Sequence, residues 1–277
     1  MFDRKVSQLG SFIPLAVIFL LVLISLFYSE YHYLKRLVTS RLHHCPIPRQ
    51  KGNDNYYAQQ YEDYILSIIF SRVSAGTYID VGAYHPLKDS VTQYFYNEGW
   101  HGINIEPSAQ YYQLFVKARP RDINLNIGVG NKIQTLAFYK IGNTGLSTFD
   151  IRVAEQAKKD GFPFAMQKLP ITTLNHILET NHVKAINFIK IDVEGFEKQV
   201  LQGLNLHKYR PQIFIIEATE PRTSLPSYQK WEAILNKNNY KFAYSDGINR
   251  YYIANENINL LMNRFAKANE CLMLFHR

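Results

Sequence analysis

Apolar residues between positions 60 and 255 fall into short continuous runs, and amphipathic stretches separate these runs. Short apolar runs bounded by turn residues are typical of buried strands. In the stretch QQYEDYILSIIF, Ile65, Ile68 and Ile69 share one face of a helix. Strands that alternate with helices predict βαβ units, so we expect an α/β fold with a mostly parallel sheet and helices on both faces. The runs that predict buried strands are TYIDV, GINIE, INLNIGVG, INFIKIDV and QIFIIEA.

The segments between and after these runs predict helices, an added strand, an insertion and a terminal hairpin. Ser90 precedes a helical stretch and is a suitable N-cap for it. The sequence KFAYSDGINRYYIA predicts a terminal hairpin with its turn near Asp246 and Gly247. The segment QTLAFYKI predicts an added strand, and STFDIRVAEQAKKDG predicts an insertion. Helices are predicted over SVTQYFYNEG, SAQYYQLFVKAR, FEKQVLQGL and SYQKWEAILNKNNY.

Residues 11–28, which begin with Ser11 and end with Tyr28, carry no charge. A helix of this length spans about 27 Å, close to the thickness of a bilayer core. A cleaved signal peptide is the alternative, but bulky residues follow where small residues would mark a cleavage site. We therefore expect a transmembrane anchor at 11–28, after a short tail at 1–10. A juxtamembrane segment and linker at 29–55 then lead to a folded domain at 56–277.

The basic residues beside the predicted anchor indicate its orientation. Lys35, Arg36 and Arg41 follow the anchor, whereas Arg4 and Lys5 precede it. The positive-inside rule places the more basic side in the cytoplasm. We therefore expect a single-pass membrane protein whose folded domain faces the cytoplasm.

The composition excludes several classes of protein. Hydrophobic residues make up 47% of the chain, as in globular rather than disordered proteins. Two cysteines are too few for a zinc site and show no disulfide framework, so we expect Cys45 to be an inert thiol. The net charge of +8 indicates either a solvated surface with surplus lysine or attraction to an anionic membrane or substrate. No basic block is interleaved with aromatic residues, so no nucleic-acid partner is expected.

Four predicted strands end on an acidic residue. These residues are Asp80, Glu106, Asp192 and Glu217. The carboxyl ends of parallel strands lie along one edge of the sheet, where α/β proteins bind their ligands. A single acidic strand end needs no functional explanation, but four of them predict a ligand site at this edge.

The first two strand ends indicate what the ligand is. A carboxylate at Glu106, after the second strand, can accept hydrogen bonds from both hydroxyls of a ribose. Gly82 allows a tight turn after the first strand. The loop DVGAYHP lacks the G-x-G-x-x-G pattern of nicotinamide enzymes, which disfavours a pyrophosphate ligand. The sequence therefore favours a nucleoside ligand without phosphates, and S-adenosylmethionine is such a ligand.

A resemblance to a known family rests on five segments, which are YIDVGAYHPLKDSVTQYFYNEGWHGINIEP, NIGVG, GLSTF, INFIKIDVEGFEKQVLQG and IFIIEATEP. In this order and spacing they resemble the FkbM family of S-adenosylmethionine-dependent methyltransferases. The resemblance implies a class I methyltransferase fold, which is Rossmann-like, and O-methylation, commonly of sugar or natural-product hydroxyls. One departure lies in the first loop, where many members have DVGANxG and this chain has Tyr84, His85 and Pro86.

The resemblance also implies which residues bind the cofactor. They are Asp80, Gly82 and Ala83 for the methionine end, Glu106 for the ribose, and Asn126 and Ile127 for the adenine. Asp192 and Glu194 match the family's KIDVEG stretch, which implies that they face the transferring methyl group and the acceptor.

A base should assist transfer to a sugar hydroxyl, since a hydroxyl is a poor nucleophile. Asp192 is the first candidate, with Glu194 and His85 as alternatives. No metal site is required, but Asp192 and Glu217 are the candidate ligands if Mg²⁺ assists. Structural roles remain open beside these: Asp192 as a helix N-cap, Glu194 as a first-turn acid, and Lys190 as a partner of the acids or a solvent-exposed residue.

The sequence thus predicts a membrane-anchored O-methyltransferase that uses S-adenosylmethionine. Its acceptor is expected to be a hydroxyl of a sugar, glycan or glycolipid, and a lipid-linked acceptor suits a membrane anchor. Two alternatives stay open: a nucleotide-dependent oxidoreductase on the same architecture, and a membrane-anchored binding protein with a catalytically degenerate domain.

Overall fold

The computed structural model describes residues 23–24, 26–32, 45 and 56–275. The chain divides into two units, Met1–Ile47 and Pro48–Arg277. In the first unit, residues 23–24 and 26–32 are helical. None of the helices in the described ranges is both long enough and apolar enough to cross a membrane. Most of the predicted anchor, 11–28, lies outside the described residues.

A mostly parallel sheet lies at the centre of the second unit. The strands of this unit are β1 (Thr77–Val81), β2 (His101–Ile105), β3 (Ile123–Leu125), β4 (Gly128–Val129), β5 (Gln134–Ile141), β6 (Phe164–Thr172), β7 (Phe188–Ile191), β8 (Ile213–Glu217), β9 (Tyr240–Ser245) and β10 (Asn249–Ala254). Seven of them form the sheet, in the order β3-β2-β1-β7-β8-β10-β9. The strands from β3 to β8 in this order are parallel, and β10 is antiparallel to β8 and β9. The sheet confirms the predicted α/β fold.

Helices separate most of the successive strands along the chain. They are α1 (Glu62–Ile69), α2 (Gln93–Asn97), α3 (Ala109–Ala118), α4 (Ile151–Lys159), α5 (Leu174–Thr180), α6 (Glu197–Gln202), α7 (Glu232–Lys237) and α8 (Ile258–Phe275), with 3₁₀ turns at Tyr228–Lys230 and Asn255–Asn257. Ile65, Ile68 and Ile69 are buried on α1 as the sequence predicts. The short α5 and the long α8 were not predicted.

The central strands of the sheet are buried on both faces. Successive side chains of a strand point to opposite faces, and all five residues of β8 are buried. Ile79, Ile189 and Phe214 lie beside one another on β1, β7 and β8, and each is 0% exposed. Because both faces are buried, the sequences of these strands are continuous apolar runs rather than alternations of apolar and polar residues.

Two N-caps that the sequence suggests are wrong. The N-cap of α2 is Thr92 rather than Ser90. The Ser90 hydroxyl instead accepts a hydrogen bond from the buried guanidinium of Arg119, at 3.1 Å. Helix α6 begins at Glu197, so Asp192 is not its N-cap and Glu194 is not in its first turn. Both structural roles proposed for these two acids are therefore excluded.

The segment INLNIGVG is not one strand. Its first part forms β3 in the main sheet, whereas Gly128 and Val129 form β4, which pairs with Ile171 and Thr172 of β6. Strands β4, β6 and β5 make a second sheet. The sequence did not predict β6, because most of its residues are exposed or half-buried and leave no alternation of apolar and polar positions. The predicted added strand, β5, pairs antiparallel with it.

Strands β9 and β10 form the predicted terminal hairpin. Gly247 has a φ of +102° in its turn, a conformation that glycine adopts without strain. Elsewhere the structure corrects the sequence analysis: neither Cys45 nor Cys271 is a free thiol, so the prediction of an inert thiol at Cys45 is wrong.

Candidate functional site

A cavity of about 400 Å³ opens at the carboxyl ends of β1, β2 and β7. Its volume lies in the range of small-molecule sites, about 300–1,000 Å³. Of the four acidic strand ends, Glu106 and Asp192 line the cavity, whereas Asp80 and Glu217 do not. Asp80 is buried behind it, at 1% exposure. The parallel sheet thus brings acidic side chains to one edge, as the strand pattern predicts.

Gly82 sets the path of the loop after β1. Its φ is +77°, and a Cβ at this position would overlap the carbonyl oxygen of Asp192. The N–H groups of Gly82 and Ala83 both donate to the carbonyl of Ile105, at 3.0 and 3.2 Å. The glycine therefore lets the loop after β1 lie directly against the ends of β2 and β7.

Glu106 is held at the floor of the cavity by two backbone donors. Its Oε2 accepts a hydrogen bond from the N–H of Tyr84 at 2.8 Å, and its Oε1 accepts one from Ser108 at 2.7 Å. Burial raises the pKa of Glu106 to about 7, against the opposing effect of these two hydrogen bonds. Each carboxylate oxygen accepts up to about two hydrogen bonds, so each retains capacity for one donor from a ligand.

Tyr84 takes part in this arrangement through both its backbone and its ring. Its φ of +53° is unusual for a residue other than glycine and turns its N–H toward Glu106. Its ring packs edge-on against Tyr111, with the centroids 4.6 Å apart. The residue that departs from the family pattern therefore belongs to the cavity wall.

Lys190 neutralises the acids rather than pointing to solvent. Its ammonium donates to the carbonyl of Gly82 at 3.0 Å and forms ion pairs with Asp192 at 3.3 Å and Asp80 at 3.7 Å. Burial alone would lower the pKa of Lys190, but the two carboxylates outweigh burial and raise it. Asp80 also accepts a hydrogen bond from Thr92 at 3.0 Å. The lysine thus ties β1 to the loop after β7.

Three carboxylates meet at the ends of β7 and β8. One oxygen of each of Asp192, Glu194 and Glu217 lies within 4.8 Å of the other two. Burial raises the pKa of both Glu194 and Glu217 well above its usual value, and the negative charge of Asp192 adds to this effect. Glu197 fixes the loop after β7, because its Oε1 accepts a hydrogen bond from the N–H of Gly195 at 3.0 Å.

Of the remaining predicted site residues, Ile127 lines the cavity, whereas His85 and Asn126 do not. His85 is not among the lining residues, and its Nδ1 accepts the N–H groups of Leu87 and Lys88 at 3.1 and 3.0 Å. Burial, with the nearby charge of Lys88, lowers the pKa of His85. Asn126 donates to the carbonyl of Glu106 at 2.9 Å and so supports the second loop, whereas Ile127 lines the cavity.

A model of the methyltransferase FkbM domain matches residues 80–242, more than half of the chain. The chain belongs to the FkbM methyltransferase family. The match begins at Asp80 of β1 and ends in β9, so it includes every loop that lines the cavity after β1. A search of the curated proteins finds no match to the chain. The domain is a methyltransferase, and the family generally implies S-adenosylmethionine as the methyl donor.

The sequence pattern does not predict one wall of the cavity. It comes from β5 and the loop that follows, and its residues include Phe138, Thr144, Leu146 and Phe149. Part of this wall is GLSTF, one of the five segments that resemble the FkbM family. The hydroxyl of Thr148 in that segment donates to the carbonyl of Glu194 at 2.8 Å, which ties the wall to the acidic loop.

Proposed function

We propose that this FkbM methyltransferase binds S-adenosylmethionine in the cavity at the ends of β1 and β2 and transfers its methyl group to a hydroxyl. Glu106 carries the proposal. Its two oxygens are fixed by backbone N–H groups at 2.8 and 2.7 Å, and both retain capacity to accept the hydroxyls of a ribose. The cavity is also large enough for a nucleoside ligand, at about 400 Å³.

The residues around the cavity suit the parts of that cofactor. Ile105 and Ile127 offer apolar surface beside Glu106, where the adenine would pack. Gly82 and Ala83 line the side toward β7, where the methionine part would lie. Asp80 supports this side indirectly, through its ion pair with Lys190. The cofactor, when bound, would supply an electrophilic methyl group on a sulfonium, and the protein would supply alignment and charge control.

Asp192 is the base in this proposal. Its side chain lines the cavity and is 36% exposed, so an acceptor hydroxyl can reach it. Lys190 holds its Oδ2 at 3.3 Å and leaves Oδ1 to take the proton of the acceptor. Glu194 also lines the cavity, but its Oε2 is inaccessible to solvent. His85 lies outside the lining and accepts two backbone hydrogen bonds at Nδ1.

The acceptor in this proposal is a hydroxyl of a sugar, glycan or glycolipid. The uncharged segment 11–28 and the net charge of +8 support an enzyme that works beside an anionic membrane, where lipid-linked acceptors lie. Mass spectrometry of glycans and glycolipids from cells with and without the chain tests this. A species that loses the mass of one methylene when the chain is absent identifies the acceptor. An unchanged profile contradicts a glycan acceptor.

The orientation remains the cytoplasmic one in this proposal, because more basic residues follow the predicted anchor than precede it. One observation opposes it. Neither cysteine is a free thiol, and disulfides persist in oxidising compartments. Protease treatment of sealed vesicles distinguishes the two orientations. Protection of the folded domain in right-side-out vesicles and digestion in inverted ones supports the cytoplasmic orientation, and the reverse pattern overturns it.

Transfer of a labelled methyl group from S-adenosylmethionine tests the activity, and titration with NAD tests the oxidoreductase alternative. Glu106→Gln is the informative variant, because it removes one acceptor oxygen at the ribose position. Glu62→Gln is the matched control: Glu62 is also buried, at 5% exposure, and also accepts a backbone N–H, from Gln60 at 2.7 Å. We expect only Glu106→Gln to weaken binding of S-adenosylmethionine. Binding without any methyl transfer would favour the degenerate binding protein.

A further inference from the structure

The acidic residues at the ends of β7 and β8 outnumber their cationic partners. Lys190 forms ion pairs with Asp192 and Asp80. Among the residues that the structure describes, no ion pair is formed by Glu194 or Glu217. Buried charges in proteins are paired or coordinate metals. The cluster of Asp192, Glu194 and Glu217 is therefore short of a positive partner.

The geometry of this cluster suits a small divalent cation. One oxygen from each of the three residues lies within 4.8 Å of the other two. Two oxygens on opposite sides of Mg²⁺ are about 4.2 Å apart, and across Ca²⁺ they are about 4.8 Å apart, given metal–oxygen distances of about 2.1 and 2.4 Å. Three oxygens bound to one Mg²⁺ lie about 3.0–4.2 Å apart in pairs, so a cluster within 4.8 Å needs only small side-chain movements to bind one ion. Ligand sets made only of carboxylates prefer Mg²⁺, Mn²⁺ or Ca²⁺ to softer metals.

Glu217 gives the second and separate indication of a ligand. Its side chain is at the buried end of β8, and the residue is only 8% exposed. Its Oε2 is inaccessible to solvent and has no hydrogen-bond partner among the described residues. A buried polar atom without a partner is costly and rare in native proteins. Oε2 of Glu194, in the same cluster, is inaccessible and unpartnered in the same way.

We propose that Asp192, Glu194 and Glu217 bind a divalent cation of the Mg²⁺ or Mn²⁺ type. Three protein ligands leave coordination positions open, and Asp192 and Glu194 place the site at the cavity wall. Resting on the function proposed above, the ion would hold the oxygen of the acceptor hydroxyl beside the methyl donor and lower its pKa, a role that replaces base assistance by Asp192 when the ion is bound. Glu194 adds a third ligand to the two candidates in the sequence, Asp192 and Glu217.

Binding of Mn²⁺ to the full chain, without any methyl donor, tests the site. The free ion is measured by electron paramagnetic resonance during a titration, and Mg²⁺ is then added in competition. We expect one Mn²⁺ per chain, displaced by Mg²⁺. Glu217→Gln should weaken Mn²⁺ binding by more than the roughly 10–100-fold that loss of an outer-shell partner costs. The control Glu62→Gln, which lies outside the cluster, should bind Mn²⁺ as the unaltered chain does.

Two outcomes overturn the proposal: no Mn²⁺ binding to the unaltered chain, or unchanged binding to Glu217→Gln. Should Glu217→Gln fail to fold, Glu194→Gln is the second variant, since its side chain lies on a loop rather than in the sheet. Titration of the chain with S-adenosylmethionine in the presence of a chelator tests the methyl donor independently of the cation site. Cofactor binding without Mn²⁺ binding refutes the cation site alone, whereas Mn²⁺ binding without cofactor binding refutes the methyl donor alone.

Discussion

Replacement of Gly82 by alanine tests how the first loop builds the cavity. Gly82 has a φ of +77°, and the added Cβ would lie against the carbonyl oxygen of Asp192. The two atoms would have to separate by more than 1 Å to reach 3.0 Å, below which such contacts are essentially never seen. Because the obstacle is backbone rather than a flexible side chain, either the loop after β1 or the loop after β7 must move.

Gly99 provides a matched control for this substitution. Its φ is +86°, but a Cβ there meets nothing within 4 Å. Gly99→Ala should therefore suffer only the strain of a left-handed conformation, about 1–2 kcal/mol of unfolding free energy. Gly82→Ala carries the same strain and adds the displacement of the site. A misplacement of about 1 Å can cost about 10²-fold in catalysis.

Two measurements on each variant separate stability from binding. Urea denaturation gives the free energy of unfolding, and calorimetric titration gives the affinity for S-adenosylmethionine. We expect Gly99→Ala to lose stability and keep its affinity, whereas Gly82→Ala should lose both. The reasoning fails if Gly82→Ala binds the cofactor as tightly as Gly99→Ala does, since the contact with Asp192 would then have no bearing on the cavity.

Three further substitutions or titrations follow from the same structure. Asp192→Asn should lower kcat by about 10²–10⁴-fold with little change in cofactor affinity, because base assistance acts on the transition state; near-normal turnover would exclude Asp192 as the base. Burial raises the pKa of Glu106 to about 7, so the affinity for S-adenosylmethionine should be full above that pH. It should fall about tenfold for each pH unit below it if only the carboxylate binds the ribose, and a flat profile in calorimetric titrations would refute this. Burial, with the charge of Asp246, raises the pKa of Glu62 to about 8. The folded state then holds this proton more tightly than the unfolded state does, so the free energy of unfolding should fall by up to about 1.4 kcal/mol per pH unit as pH rises toward 8. Glu62→Gln should flatten this slope in denaturation experiments, and an unchanged slope would assign it to another group.

The positions of the acidic strand ends were predictable, because parallel pairing places the carboxyl ends of neighbouring strands at the same edge of the sheet. Glu106 and Asp192 follow buried apolar runs, and parallel pairing with β1 brings both runs to the same edge. The turn at Gly82 was likewise visible, since a tight loop after the first strand needs a residue without a side chain. The sequence pattern therefore located the cavity and most of its floor.

The acidic cluster could not be predicted in the same way. Glu194 is itself a loop residue with a φ of +52°, a conformation that no periodic pattern indicates. Helix α6 begins only after this loop, at Glu197. The side chain of Glu197 accepts a hydrogen bond from the loop backbone at Gly195. Strand β6 could not be predicted for a different reason. Its residues are largely exposed, so they show no apolar pattern, and its pairing with β5 depends on residues distant in sequence.

The position of a bound nucleoside tests the central claim most directly. A crystal structure of the chain with S-adenosylhomocysteine should show the ribose hydroxyls within hydrogen-bond distance of both oxygens of Glu106. The adenine should lie beside Ile127, and the sulfur should face Asp192. A nucleoside bound elsewhere, or in this cavity with its ribose away from Glu106, would contradict the account.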